Sequence, residues 1–251
     1  MKRRAFCSAA LTASALPLTQ ASASSNPSLA TQKELYEIRI YDMKFGVNAQ
    51  PVIQYLKEVL QPTFKAAGAK QFLLFDEISN QLPRRIWGLI SYPDAATYLQ
   101  AQTLDSNAPY QEAAKAYRAL ESVPFNRFES WLLHAFDGLP QMEQLVENAS
   151  VFEIRTYEGY NEDAVRRKIA MFNDEELPLF YKVKLNPVFF GEMIAGPYRP
   201  ALTYMLNYES MDAHGQAWKA FLSSPEWNAM KSLPKYANTV SNIRNTFLKP
   251  V

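Results

Sequence analysis

The sequence predicts an α+β protein in which two copies of one unit close into a single barrel. The first observation is an internal repeat: the segment Tyr36-Glu37-Ile38-Arg39-Ile40-Tyr41 returns as Phe152-Glu153-Ile154-Arg155-Thr156-Tyr157, at an offset of 116 residues. The same offset carries Pro62 onto Pro178 and Ser91-Tyr92 onto Asn207-Tyr208. Because the register holds along the whole repeat, we interpret the chain as a tandem duplication of one structural unit.

The second observation is the order of elements within each copy. Alternating and apolar runs predict strands over 36–41, 71–76, 86–92 and 127–133, with equivalents over 152–157, 188–193, 202–208 and 243–248. A helix follows the first strand, over about 49–67 and 162–184, and Pro62 and Pro178 are expected to kink or break it. A second helix begins near Asp94 and near Ser210. The resulting βαββαβ order is that of a ferredoxin-like unit.

The third observation is that each such sheet carries helices on one face only. Its other face needs cover, and two copies that face each other supply it. We therefore predict an intramolecular pseudo-dimeric α+β barrel. Alternation in the first strand gives it two faces, of which we expect one to pack on the helices and the other to point into the barrel. The helix-facing set is Tyr36, Ile38 and Ile40, and the inward set is Glu37, Arg39 and Tyr41.

The chain begins with a segment typical of export. Three basic residues at positions 2–4 precede a mild apolar stretch, and Ala21-Ser22-Ala23 has the small residues of a cleavage site. We predict a signal peptide over 1–23, of the twin-arginine or the general secretory type, and a periplasmic or secreted protein. The apolar stretch is too short to span a bilayer, which needs roughly 20 residues. A disordered leader over 24–32, a first unit over 33–136, a connector over 137–149 and a second unit over 150–251 complete the predicted organisation.

The composition excludes several kinds of site. Cys7 is the only cysteine and lies in the predicted signal, so the mature chain has no disulfide and no thiolate metal site. The formal net charge is +1 and no basic run follows residue 4, which argues against nucleic acid as a partner. His134 and His214 fall in no metal-binding spacing, and no phosphate-binding glycine motif is present. We expect no metal and no cofactor.

The second copy resembles the NIPSNAP family. The resemblance is carried by the segment 152–157, by Leu177-Pro178 late in the first helix and by Phe221 with Ser224-Pro225-Glu226-Trp227, and it is best over 150–233. It implies the dimeric α+β barrel fold, normally made from two such domains. That superfamily includes cofactor-free monooxygenases, haem-handling enzymes and many proteins of unknown activity. The resemblance supplies no catalytic residues that transfer to this sequence.

The duplicated Glu-x-Arg-x-Tyr segment is the candidate site. Inside a barrel, Arg39 and Arg155 could bind an oxyanion through paired hydrogen bonds. The tyrosines Tyr41 and Tyr157 could donate a proton, which makes them the candidate catalytic residues. The predicted ligand-binding residues combine charged groups with aromatic side chains, as small-molecule pockets do. They are Glu37, Arg39, Glu153, Arg155, Trp87 and Tyr204.

Two functions remain open at this point. In the first, the barrel binds a small, partly apolar and anionic molecule, with oxygenase-like or isomerase-like chemistry that needs no cofactor. In the second, the Glu–Arg pairs are structural and the protein is a non-catalytic binding or interaction module. A filled barrel with both arginines neutralised favours the second function, and an open cavity with an unpaired arginine favours the first. Because the duplication removes the need to dimerise for closure, the sequence is compatible with a monomer or a homo-oligomer.

Overall fold

The computed structural model describes residues 32–79 and 82–251. The predicted signal peptide and nearly all of the predicted leader lie outside the described residues. Within them, the strands are β1 (Leu35–Met43), β2 (Gln71–Glu77), β3 (Arg85–Tyr92), β4 (Phe125–Ala135), β5 (Val151–Glu158), β6 (Asn186–Ala195), β7 (Ala201–Tyr208) and β8 (Asn242–Pro250).

The helices occupy the predicted places between these strands. They are α1 (Gln50–Gln54), α2 (Gln61–Ala66), α3 (Ala95–Ala101), α4 (Ala108–Ala113), α5 (Lys115–Arg118), α6 (Glu162–Met171), α7 (Leu177–Lys182), α8 (Met211–Ser223) and α9 (Pro225–Met230), with a 3₁₀ turn at Pro234–Tyr236. No helix of the described segments is long and apolar enough to cross a membrane.

The long helix of each copy is interrupted, as its proline predicts. A π-helical segment, Tyr55–Leu60, separates α1 from α2, and a second one, Phe172–Glu176, separates α6 from α7. Pro62 and Pro178 follow directly, in the first turn of α2 and of α7. The backbone stays helical up to each proline, because Gln61 N–H donates to Leu56 O and Leu177 N–H donates to Phe172 O, five residues back in the π-helical pattern. Each proline then follows where the hydrogen-bond pattern changes, and it has no N–H to donate.

The eight strands form one closed antiparallel barrel, in the order β1-β3-β2-β8-β5-β7-β6-β4. Two seams join the halves of the chain. At one seam Glu77 of β2 pairs with Leu248 of β8, and at the other Ala135 of β4 pairs with Gly191 of β6. Closure leaves no strand edge exposed in the sheet. The prediction of an α+β chain that closes its barrel without a second copy is confirmed.

The predicted assignment of strand faces is wrong. Tyr36, Ile38 and Ile40 point into the barrel, while Glu37 and Arg39 point outward beneath the helices. The reason lies in hydrogen bonding. Glu37 and Arg39 find polar partners on a helix and on neighbouring strands, whereas the interior offers mainly apolar side chains, against which an ionised group would be costly.

Apolar side chains from both halves fill the interior. Across the halves, the Phe75 and Phe152 ring centroids lie 4.7 Å apart, and those of Tyr36 and Phe189 lie 4.9 Å apart. A cavity of about 50 Å³ lies at one end of the barrel, which is room for little more than water. Further buried interior residues are Trp87, Leu89, Trp131, Leu133, Ile154, Val188, Met193, Met205 and Leu248.

We predict that Phe189→Ala lowers the free energy of unfolding by about 3–5 kcal/mol, because it leaves a cavity at the centre of the barrel. Chemical denaturation measures this loss. Phe45→Ala is the matched control: Phe45 is 81% exposed, so its truncation should change stability by less than about 0.5 kcal/mol. Equal effects of the two substitutions would contradict the packing described for the interior.

Candidate functional site

The two copies of the Glu-x-Arg-x-Tyr segment lie in separate places. Each lies between the sheet and the helices of its own half, so the barrel interior separates them. The prediction that both arginines face one shared cavity is therefore wrong. Trp87 does face the interior, as predicted, and its ring centroid lies 5.8 Å from that of Trp131. Trp87 consequently joins neither site.

In the first half, the ionic groups are satisfied by protein partners. The buried Glu37 carboxylate accepts hydrogen bonds from Arg39 Nε at 2.6 Å, from the Tyr92 hydroxyl at 2.8 Å and from Ser130 Oγ at 2.7 Å. A second nitrogen of Arg39, Nη2, donates to Gln102 Oε1 at 2.6 Å. This arrangement fits the structural interpretation of the Glu–Arg pair.

The guanidinium of Arg39 is also enclosed by aromatic rings. It lies 4.8 Å from the Phe64 centroid and 5.3 Å from the Phe128 centroid. Tyr41 packs beside it against Phe125 and Phe128. Burial raises the pKa of the Tyr41 hydroxyl, and the nearby Arg39 opposes that shift. Tyr41 is thus a buried, protonated phenol in a filled layer.

In the second half, the glutamate keeps its role but changes its partners. Glu153 accepts hydrogen bonds from Arg155 Nη1 at 2.6 Å and from Trp218 Nε1 at 2.9 Å. His214 Nε2 lies 3.2 Å from Oε2 of the same carboxylate. The offset of 116 residues places His214 on Tyr98 and Trp218 on Gln102. A buried carboxylate therefore orients an imidazole in this half.

Arg155 has fewer acceptors than its counterpart Arg39. Its Nε is buried and has no hydrogen-bond partner among the described residues. The side chain that replaces Gln102 is Trp218, which lies 4.6 Å from the guanidinium and can stack on it but cannot accept a strong hydrogen bond. The Arg155 side chain is 16% exposed. Buried guanidinium donors without an acceptor are uncommon and call for an explanation.

Two phenols lie beside Arg155. The Tyr204 hydroxyl donates to the Tyr157 hydroxyl at 2.8 Å, and the Tyr204 ring stacks on Phe190 at 4.6 Å. Burial raises the pKa of both phenols, although Arg155 opposes the shift. Both therefore stay protonated near neutral pH and can donate a hydrogen bond. The structure brings together Glu153, Arg155, Tyr157 and Tyr204 of the predicted site residues.

An ion pair that the sequence interpretation missed lies next to Tyr157. Lys168 and Glu176 are both buried and bind each other, and the Lys168 ammonium lies 4.5 Å from the Phe172 centroid. Glu176 belongs to an acidic run that reads as a solvated helix face, but the π-helical segment turns its side chain inward. Burial raises its pKa, and Lys168 opposes the shift.

The repeat itself carried a signal for this pair. The offset of 116 residues aligns Lys168 with Val52 and Glu176 with Leu60, both buried in the first half. Charged residues at positions that are apolar in the other half mark a place where the two halves differ. Among the described residues, no group of three or more His, Cys, Asp or Glu side chains is placed to hold a metal ion.

Comparisons with known proteins support the fold and the resemblance. The NIPSNAP family model matches residues 152–251. A putative monooxygenase from Lactobacillus acidophilus NCFM has a similar structure, with a TM-score of 0.57, 10% identity, and coverage of 86% of this chain and 93% of that chain. A putative monooxygenase from Fusobacterium nucleatum subsp. nucleatum gives a TM-score of 0.57, 9% identity, and coverage of 87% and 92%.

A smaller structural match is an uncharacterized NIPSNAP-like domain protein from Burkholderia xenovorans, at 18% identity, with coverage of 42% of this chain and 88% of that chain and a TM-score of 0.38. No curated protein sequence matches the chain. At such low identities, the likeness to the two whole-chain neighbours shows a shared fold alone.

We predict that replacing both Lys168 and Glu176 leaves stability nearly unchanged, whereas replacing only one of them is strongly destabilising. Lys168→Met leaves Glu176 buried without its cation and should cost about 3 kcal/mol in unfolding free energy. The double substitution Lys168→Val/Glu176→Leu copies the first half and should return stability to within about 1 kcal/mol of the wild type. Urea denaturation of the three proteins checks this. A double variant as unstable as the single one would contradict it.

Proposed function

We propose that this chain, whose residues 152–251 form a NIPSNAP domain, binds a small, partly apolar, anionic molecule through its second half. The proposed site lies between β5, β7 and α8, around Arg155, and not inside the barrel. The barrel interior is filled, so the site outside it is the better candidate. The anionic character of the ligand follows from the cation that needs an acceptor, and the apolar character from the rings around it.

The observation that carries this proposal is the incomplete hydrogen bonding of Arg155. Arg39 uses Nε on Glu37 and Nη2 on Gln102, whereas Arg155 has a buried Nε with no acceptor. A ligand carboxylate would supply the missing acceptor in the bidentate geometry that guanidinium groups favour. Trp218 at 4.6 Å and Tyr157 at 5.6 Å from the guanidinium would contact the apolar part of the ligand.

The same surroundings support proton transfer without a cofactor. His214 is the proposed proton acceptor from a bound ligand, because its contact with the Glu153 carboxylate fixes the orientation of the ring. Tyr157, protonated and within the same layer, can donate a hydrogen bond to the ligand oxygen that gains charge. Removal of a proton is the first step expected for an isomerase-like reaction. It is also the first step expected for an oxygenase-like reaction, in which the resulting carbanion reacts with molecular oxygen.

Non-catalytic binding is the second candidate. It is favoured by the filled barrel and by the neutralisation of both arginines, since each glutamate is buried and hydrogen-bonded to its arginine. The case for the first candidate rests instead on Arg155 Nε, outside the barrel, which has no acceptor among the described residues. Under the non-catalytic alternative the ligand still completes the hydrogen bonds of Arg155, but His214 performs no chemistry. The substitution His214→Gln distinguishes the catalytic from the non-catalytic candidate. If His214 is the proton acceptor, this substitution should abolish turnover and leave ligand binding intact.

The proposal also includes export and duplication. The basic start, apolar stretch and Ala21-Ser22-Ala23 support a signal peptide and a periplasmic or secreted protein. The strand orders β4-β1-β3-β2 and β8-β5-β7-β6 in the two halves, together with the repeat, support two tandem ferredoxin-like units with one origin. Intramolecular closure is consistent with a monomer as well as a larger assembly.

We predict that Arg155→Met weakens the binding of a small carboxylate such as benzoate by roughly tenfold or more, because a charged hydrogen-bond donor is lost. Calorimetric titration measures the affinity, and thermal unfolding shows that the variant is folded. Arg39→Met is the matched control in the first half and should leave benzoate binding unchanged wherever the variant folds.

A second substitution keeps the test decisive if Arg155→Met fails to fold. Trp218→Gln copies Gln102 of the first half and gives Arg155 an acceptor within the protein. We expect a folded protein with weakened benzoate binding. Wild-type affinity in both the Arg155→Met and the Trp218→Gln variants would refute the proposed site.

A further inference from the structure

We propose that a groove beside α8 is a second ligand site and that its ligand is a small zwitterion with an apolar body, such as a hydrophobic amino acid. The groove has a volume of about 360 Å³, within the range of small-molecule sites. Its apolar walls include Val183, Ala213 and Ala217, and its polar groups come from Lys184, Asn186, Tyr208, Glu209 and Gln216. This site goes beyond the proposed function, because it does not include Arg155.

Lys184 occupies a position that favours glycine. It lies two residues beyond Lys182, the last residue of α7, with φ of +62°, in the left-handed region. The Lys184 and Leu185 N–H groups donate to the carbonyls of Tyr181 and Phe180, which is the hydrogen-bond pattern of a Schellman motif. A side chain there is strained, so a lysine in this position is a cost to folding.

The first half has the residue that the backbone prefers. Gly68, the equivalent of Lys184, ends α2 with φ of +103° and the same two hydrogen bonds, from Gly68 N to Lys65 O and from Ala69 N to Phe64 O. A Cβ atom built on Gly68 would lie 2.9 Å from Thr97 Cγ2. In the second half the equivalent of Thr97 is Ala213, which lacks that methyl group. The second half has Lys184 in place of Gly68 and Ala213 in place of Thr97. Together, these two differences leave room for a lysine side chain at the entrance of the groove.

The hydroxyl of Tyr208 is a third difference between the halves, and Tyr208 lines the same groove. Its equivalent, Tyr92, donates to Glu37 at 2.8 Å. In the second half Trp218 and His214 take the corresponding oxygen of Glu153, and the buried Tyr208 hydroxyl has no hydrogen-bond partner among the described residues. Tyr208 is 1% exposed and lines the groove, so a ligand that reached its buried hydroxyl would supply the missing partner.

The charges of the groove define the ligand class. Lys184 and Glu209 both line it, and neither takes part in an ion pair in the described part of the chain. Glu209 stands where the first half has Pro93, so both charges are specific to the second half. A ligand carboxylate would bind Lys184, a ligand ammonium would bind Glu209, and an apolar side chain would pack on Val183 and Ala217. A molecule with one charge alone would leave the other group without a partner.

The test is calorimetric titration of the full chain carrying Arg155→Met, in which the proposed carboxylate site is disabled, with L-phenylalanine, 3-phenylpropionate and 2-phenylethylamine. We expect saturable binding of L-phenylalanine and at least roughly tenfold weaker binding of the two singly charged analogues, because each lacks one charged contact. Equal affinity for an analogue and for L-phenylalanine would overturn the zwitterion class. Absence of saturable binding by L-phenylalanine would overturn the site.

Lys184→Gly separates binding from folding in one variant. It copies Gly68, so we expect a melting temperature about 2–4 °C above that of the wild type, from relief of the left-handed lysine. We expect affinity for L-phenylalanine to fall roughly tenfold or more in this variant, and several-fold in Tyr208→Phe. Unchanged affinity in Lys184→Gly would overturn the proposal.

Two further substitutions serve as controls. Lys219→Gln removes a lysine on α8 that does not line the groove and should leave affinity for L-phenylalanine unchanged. Arg155→Met is the background of every titration and removes carboxylate binding at the proposed Arg155 site, so failure of the groove and failure of the Arg155 site are read separately. Loss of L-phenylalanine binding in Lys219→Gln would point to a nonspecific charge effect and would overturn the assignment to the groove.

Discussion

The rest of the structure depends on the burial of two apolar sheet faces against each other. Neither half covers the inner face of its own sheet, and the barrel closes only because the second half supplies the missing cover. Phe75 against Phe152 and Tyr36 against Phe189 are the contacts at the centre of this interface. Since these side chains fill the barrel, the proposed ligand sites lie in the outer layers, where helices lie on the strands.

The outer layers are where the two halves diverged. Glutamate, arginine and tyrosine of the repeat remain in both, but the side chains around them differ. The first half surrounds Arg39 with acceptors, while the second replaces Gln102 by Trp218 and introduces His214. In the first half, Arg39 and Tyr92 have acceptors within the protein. In the second half, some donors lack an acceptor among the described residues.

The repeat allows much of the fold to be predicted from sequence. A constant offset fixes which strands are equivalent, and Pro62 and Pro178 mark the break in each long helix. Which face of the first strand points into the barrel could not be predicted from the repeat. Tyr36, Ile38 and Ile40 alternate with residues that are equally able to be buried once partners are present, so periodicity gives two faces without saying which is inside. The partners that decide it, such as Gln102, come from distant helices.

The candidate site was predictable in part for the same reason. The segment 153–157 contributes three of its residues, but His214 and Trp218 join it through a helix that begins more than fifty residues later. Glu176 looked solvated because the sequence does not reveal a π-helical segment, which rotates the following side chains. Lys184 becomes informative only when its backbone conformation and its counterpart Gly68 are compared.

The most direct measurement is a map of backbone amide chemical shifts of the isotope-labelled protein during titration with a small aromatic carboxylate. The account predicts shifts confined to the second half, at β5, β7 and α8, with the inward-facing residues of the barrel and the helices of the first half unaffected. Shifts centred on the barrel interior, or equal in the two halves, would contradict it.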